Sequence, residues 1–375
     1  MMKHYCIKAT SPRQTPNGST ANVLIHVPRT GGTYFNNCLR ANRVTTHDHV
    51  ERFLTSAGEP VTPALSAGGI GNRAWVSGHL RLSTLAAAFP PAKGHRYFVL
   101  LRNPVRQLIS QVNWQAQSLL GNCLSLARMP NYPFRLLVRV CQEGSVQPDH
   151  LPTLLNRYFG YFLNNQSRSL SLLTGGRQAT TDLNAFSARA FDALSALDGF
   201  SVESGLDAFI DALLQFEKGV GYQRVLLPES ARNAAAPFLD PHLTEEFSFF
   251  QKMIELQLPD FVLYLNARHL LDGGTSALHW PDKNALLDIC ISLSKREAPS
   301  ASDTSAKTRQ RVAAKVARLI TLGHTLHPRR YRPFVSAMAC LGRLMPRPLR
   351  QFIIGRRSVF RKLSALHALA SLPGA

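Results

Sequence analysis

Short apolar runs alternate along the first third of this chain with stretches whose apolar positions recur every three or four residues. Val23–Val27, Ala74–Val76 and Tyr97–Leu101 are runs rich in β-branched and aromatic residues. Runs of that length suit strands covered on both faces. Pro28 stops the first, since proline cannot donate to a ladder. Gly31-Gly32 follows, and the spacing then predicts a helix over Tyr34–Asn42 with Thr33 as its cap. After Tyr97–Leu101, Arg102-Asn103-Pro104 opens another helix, with proline where its missing N–H costs little. Leu108, Ile109, Val112, Ala116, Leu119 and Leu120 form its apolar stripe; Arg106, Ser110, Asn113 and Gln117 form its polar one. Further on, the pattern predicts helices over Leu151–Leu173, Gly205–Glu217 and Thr244–Leu256 and a short strand over Phe200–Glu203, with the segment Asp260–Leu271 closing the domain. Strands alternating with helices predict an α/β domain with a central parallel sheet.

Two strand ends carry candidate chemistry. In Pro28-Arg29-Thr30-Gly31-Gly32-Thr33-Tyr34 the glycines let a ligand approach the backbone, and the amides of the following helix turn attract anions. Arg29 adds a full positive charge, so the loop reads as a phosphate cradle. At the second strand end, Arg102 and Ser110, two helical turns apart, suit a grip on one phosphate. Trp75-Val76-Ser77-Gly78-His79 places a histidine at the end of a third apolar run. Histidine titrates near working pH and suits a general base. His47 and His49 stand in an irregular stretch and read as exposed loop histidines without further ligands nearby in sequence.

The ordered pair of phosphate motifs, about seventy residues apart, resembles the sulfotransferases that use 3′-phosphoadenosine 5′-phosphosulfate (PAPS). That family carries a Pro-Lys-Thr-Gly-Gly-Thr loop for the 5′-phosphosulfate and an Arg-(Asn/Asp)-Pro-x-x-Arg-x-x-x-Ser motif for the 3′-phosphate. Here these stand as Pro28–Thr33 and Arg102–Ser110. The resemblance is nearest to the branch containing heparan and uronyl 2-O-sulfotransferases and covers about residues 20–271. It implies a three-layer, P-loop-like sulfotransferase fold. It implies PAPS as co-substrate, held by Arg29, Thr30, Gly31, Gly32, Thr33, Tyr34, Arg102 and Ser110, with no metal. His79 matches the branch's catalytic base, and Arg29 faces the leaving phosphate. Asn164-Asn165-Gln166-Ser167-Arg168 matches an Asn-x-Gln-(Ser/Thr)-Arg element; with Asn113, its Asn165, Gln166 and Arg168 are expected to line the acceptor groove. Two positions depart from the pattern: Arg29 replaces the loop lysine, keeping the charge on a planar fork, and Ser77 replaces a second histidine.

Composition changes this picture at its edges. The 375 residues carry a formal net charge of +20. Residues 1–181 are basic on balance, as a polyanionic nucleotide requires. Residues 182–303 are acidic on balance, and residues 304–375 contain no acidic side chain. The expected organisation is a flexible lead-in over 1–20, the sulfotransferase domain over 21–271, a linker over 272–303 and a basic helical extension over 304–375. The tail suits an anionic membrane surface, an acidic partner or the chain's own acidic block. No run reaches the roughly 18–20 apolar residues of a membrane span, and no nucleic-acid motif is present. Six scattered cysteines without a CxxC pair suggest neither a zinc site nor a disulfide framework. The expected residence is cytoplasmic, peripheral at the inner membrane face if the tail docks there, in a bacterium.

The expected reaction is sulfuryl transfer from PAPS to a carbohydrate hydroxyl, on a glycan, oligosaccharide or glycolipid. A protein-tyrosine acceptor is the nearest variant. A phosphate-loop nucleotide kinase is the other enzymatic reading, weakened because Thr33-Tyr34 stands where GxxxxGK[ST] requires Lys-Ser or Lys-Thr. A non-catalytic adaptor that works through its tail is a third reading.

Overall fold

The computed structural model describes residues 5–8, 20–52, 74–120, 150–171, 183–227 and 247–274, with isolated positions from 136 to 140, at 238–239 and from 277 to 314. Its described strands are β1 (Tyr5–Ile7), β2 (Asn22–Ile25), β3 (Thr46–His47), β4 (Trp75–Gly78), β5 (Arg96–Leu101) and β6 (Gly199–Val202). They form one mixed sheet in the order β1-β6-β5-β2-β4-β3. All pairings are parallel except that of β1 with β6. The sheet is therefore mostly parallel, and its antiparallel edge strand lies in the segment read from sequence as a lead-in. Tyr5–Ile7 is too short for periodicity to reveal.

Alternation along the strands assigns each side chain to a face. Leu24, Trp75, Phe98 and Leu100 pack on one side with Phe35 and Leu39 of α1 (Gly32–Ala41) and with Phe209, Ile210 and Leu213 from the helix Leu206–Lys218. Val23, Ile25, Val76, Val99 and Leu101 face the other side. There they meet Leu85 of α2 (Leu82–Ala88), Phe191 and Leu194 of the helix Leu183–Ala196, and Leu263 and Ala267 of the helix Leu258–Leu271. Helices on both faces explain why these strands read as continuous apolar runs rather than alternating ones.

By contacts, the chain divides into two compact units. The first, 1–111, 162–234 and 250–293, holds the whole sheet. The second takes 112–161, 235–249 and 294–375. Most of the expected linker and of the expected basic extension lies outside the described residues. In chain order the remaining helices are α3 (Pro104–Leu120), α4 (His150–Phe159), α5 (Asn165–Leu170), α6 (Leu183–Ala196), α7 (Leu206–Lys218), α8 (Phe247–Leu256) and α9 (Leu258–Leu271).

Two local expectations are corrected. Thr33 does not cap α1: Gly31, in the left-handed region at φ 105°, is the N-cap, and Thr33 is an exposed residue inside the first turn. The helix expected over Leu151–Leu173 is broken, because Asn164 takes φ 52° and donates its Nδ2 to the Leu256 carbonyl at 3.1 Å. Asparagine is among the few non-glycine residues that tolerate this region.

The aromatic layer on the α1 side sets a stability test. Trp75 and Phe98 rings lie 4.9 Å apart and Phe98 and Phe209 6.3 Å apart. Phe98→Ala is expected to destabilise the protein by about 3–5 kcal/mol in urea unfolding.

Candidate active site

Parallel pairing alone brings the candidate residues together. Ile25 is opposite Gly78, so the next residues, His26 and His79, emerge side by side. Leu101 is opposite Val202, so Arg102 and Glu203 emerge side by side as well. The glycine loop follows β2 between them. All of these groups stand at the carboxyl ends of the parallel strands. From β2 the chain runs outward to β3, returns through β4 and then crosses to β5 on the opposite side of β2. That change of direction is where open α/β sheets leave a crevice for ligands.

The loop is built around two arginines. Arg29 adopts φ 67°, a strained region for a long side chain. Its Nε donates to Ser110 Oγ at 3.0 Å, and its carbonyl accepts from Arg102 Nη1 at 3.1 Å. The loop over Pro28–Thr33 and the stretch Arg102–Ser110 therefore touch. Burial, then the charge of Arg102, pulls the Arg29 guanidinium down to about 10, so it stays cationic at neutral pH. Thr30 turns its hydroxyl inward to the Val27 carbonyl at 2.9 Å, which fixes the loop. No side chain caps α1, so its first-turn amides have no intrahelical partner and suit an anion. Tyr34 is buried and donates to Asp207 Oδ1 at 3.2 Å. Burial first, then hydrogen bonding with Cys38, pushes its hydroxyl up to about 12.

Arg102 is anchored more firmly than its position suggests. Its Nε donates to Glu203 Oε1 at 2.9 Å, and Arg106 lies 3.8 Å from the same oxygen. Gln166 accepts the Arg102 N–H at 2.9 Å and donates its own Nε2 to the Arg102 carbonyl at 2.8 Å. Gln166 is itself held: the fully buried Asp260 carboxylate accepts the amides of Gln166 at 3.1 Å and Ser167 at 2.7 Å. Burial raises the Asp260 carboxyl above its ordinary range, against the pull of those hydrogen bonds. Asp260, Gln166, Arg102 and Arg29 thus form one continuous chain of contacts.

Histidines make the other half. His79 Nδ1 lies 2.9 Å from the His26 carbonyl, and its backbone N–H donates to Glu51 Oε2 at 3.1 Å. A carbonyl only accepts, so Nδ1 carries the proton and Nε2 presents its lone pair. Desolvation by the neighbouring groups lowers the His79 imidazole below 6.5 even though the residue is exposed at the surface, and Glu51 pulls the other way. His26 stacks on it with centroids 4.2 Å apart, and His49 lies 5.3 Å away. Burial, then His79, holds His26 well below 6.5 and so neutral. Ser77, which stands where the resembling branch has histidine, donates to Asp48 at 2.7 Å and accepts from Asn36 at 2.7 Å.

Of the expected acceptor residues, Gln166 is buried and spent on Arg102. Asn165 and Arg168 are half-buried on α5. Asn113 lies in the second unit, where its Oδ1 accepts the amides of Phe238 and Leu239, each at 3.0 Å. Sequence reasoning passed over His26, Glu51 and Glu203; it met Asp48 beside the loop histidines and Asp260 in an Asp-x-x-Leu-Tyr element, and gave neither a role in the site. For His26 a signal existed, a titratable residue directly after a buried apolar run. The others are set by register and by contacts distant in sequence.

Two substitutions test this geometry. Asp260→Ala leaves two buried amides without an acceptor and is expected to cost roughly 2–4 kcal/mol in urea unfolding. A Cβ at Gly32 would overlap the His26 ring. Gly32→Ala is therefore expected to lower the melting temperature by several degrees, visible by calorimetry, while a protein melting like wild type would contradict that packing.

Compared with family models, with curated proteins and with solved structures, the chain has no match in any of the three.

Proposed function

We propose that this chain is a PAPS-dependent sulfotransferase acting on a hydroxyl of a carbohydrate, with the sulfotransferase fold that its motifs resemble. The observation that carries the reading is the junction of the two phosphate motifs: Arg29 on Ser110, and Arg102 on the Arg29 carbonyl. Two cationic side chains, a hydroxyl and an uncapped helix start converge at the ends of β2 and β5. This donor set fits a nucleotide with phosphates at two positions.

In this reading PAPS supplies the sulfuryl group, and the residues of the chain divide the remaining tasks. His79 Nε2 takes the proton of the acceptor hydroxyl as its oxygen bonds to sulfur. The bond from sulfur to the 5′-phosphate oxygen breaks, and adenosine 3′,5′-bisphosphate leaves. Arg29 and the amides at the start of α1 stabilise the charge that builds on that oxygen; each lost donor costs about 3–4 kcal/mol of barrier lowering. Arg102 and Ser110 hold the 3′-phosphate and so fix the register of the sulfur. Glu203 and Gln166 keep Arg102 in place. His26, neutral and buried, packs against both Gly32 and His79 and sets the distance between loop and base.

Labelled PAPS offered with glycans, lipid-linked sugars and tyrosine peptides tests the reading. Wild type is expected to label a carbohydrate, and His79→Ala to lose at least a hundredfold in kcat with nucleotide binding intact. Equal rates for the two proteins would remove His79 from the mechanism, and labelling of tyrosine peptides alone would change the acceptor class. The base works neutral, so kcat/KM is expected to hold as pH falls to 6.5 and to drop only below it, following the lowered His79.

A further inference from the structure

We infer that His49, Glu51 and His79 form a binding site for one divalent cation of the zinc class. One donor atom from each of the three lies within 4.8 Å of the other two. Two imidazoles and one carboxylate are a recurrent zinc donor set, with a fourth position left to water or a ligand. Zinc bond lengths near 2 Å require donors about 3.3 Å apart. The side chains of His49 and Glu51, 37% and 26% exposed, have room to close the difference.

The outer contacts point the same way. Ligating histidines place the ring nitrogen that does not bind metal against an oxygen acceptor. His79 Nδ1 already sits 2.9 Å from the His26 carbonyl, which leaves Nε2 for the cation. His49 turns Nδ1 toward Glu51, and its Nε2 stands 3.8 Å from Asp48 Oδ2, beyond hydrogen-bond distance. That Nδ1 lies 2.8 Å from Glu51 Oε1, sharing a proton that a cation would replace. The second Glu51 oxygen is held by the His79 backbone amide at 3.1 Å, so the carboxylate binds through Oε1 alone. Behind the three ligands lies His26, 4% exposed, whose Nδ1 makes no hydrogen bond and stands 3.9 Å from Asp48. A cation here would give the Asp48–His26 pair a charge to respond to. The set has no thiolate and is too rich in nitrogen for magnesium or calcium.

The site does not depend on the sulfotransferase reading. Where that reading holds, the cation and the acceptor proton compete for His79 Nε2, and bound zinc blocks transfer.

The test uses the full chain without a histidine tag, titrated with zinc chloride by calorimetry and with cobalt chloride by visible absorption. One equivalent is expected, with the intense d–d bands of four-coordinate cobalt. Glu51→Gln is expected to lower affinity at least tenfold. His49→Asn should do the same, asparagine being chosen because His49 sits at φ 59°. Asp48→Asn, which touches only the outer contacts, is expected to weaken binding about tenfold. Unchanged circular dichroism shows that the variants are folded. No stoichiometric binding by wild type, or binding unaltered by both Glu51→Gln and His49→Asn, overturns the site. Adenosine 3′,5′-bisphosphate binding measured on the same samples keeps the two ideas apart, since its loss would count against the sulfotransferase reading and leave the cation site standing.

Discussion

A single buried carboxylate determines where the cationic half of the site can be. Asp260 accepts two amides at the start of a short helix, and that helix carries Gln166 to the end of β5. Gln166 then occupies both backbone polar groups of Arg102, which would otherwise be left at the last ladder position. A strand end is normally free to drift once its pairing stops. Here the drift is removed, so the Arg102 guanidinium can reach both Glu203 and the Arg29 carbonyl. Burying Asp260 raises its carboxyl, a cost set against the fixing of Arg102.

The remaining geometry follows from parallel register. Strands in one sheet end on one side, and residues one step past paired positions are neighbours. His26 and His79, Arg102 and Glu203 become adjacent for this reason without any sequence motif linking them. The order of the strands then reverses direction at β2, where the glycine loop turns. Gly32 has a narrow duty in that arrangement: its missing Cβ leaves room for the His26 ring. His26 in turn holds His79 by its carbonyl and by ring contact.

Most strands and helices with long apolar patterns were legible in the sequence, as were the loop over Pro28–Thr33 and the histidine at the end of β4; the helices Leu82–Ala88 and Leu183–Ala196 were not read. The edge strand Tyr5–Ile7 was not, since three half-buried residues carry no period. Asn164 broke a helix that periodicity alone would continue, through a side-chain bond to a residue far along the chain. Gln166 was legible as part of a motif but not in its role, because a groove-lining amide and one that pins a strand end look alike in sequence. His49 read as isolated for the same reason: Glu51 lies two residues away, but His79 reaches it only through the sheet. No helix among the described residues is long and apolar enough to cross a membrane.

The central claim is that the ends of β2 and β5 make one site for one nucleotide. Calorimetry with adenosine 3′,5′-bisphosphate in the absence of magnesium tests it most directly, with ATP and magnesium as the comparison. A single equivalent of the bisphosphate is expected to bind, with affinity reduced at least tenfold by Arg102→Ala and by Ser110→Ala, and ATP is expected to bind more weakly. Tighter, magnesium-dependent binding of ATP, or bisphosphate binding indifferent to both substitutions, would contradict it.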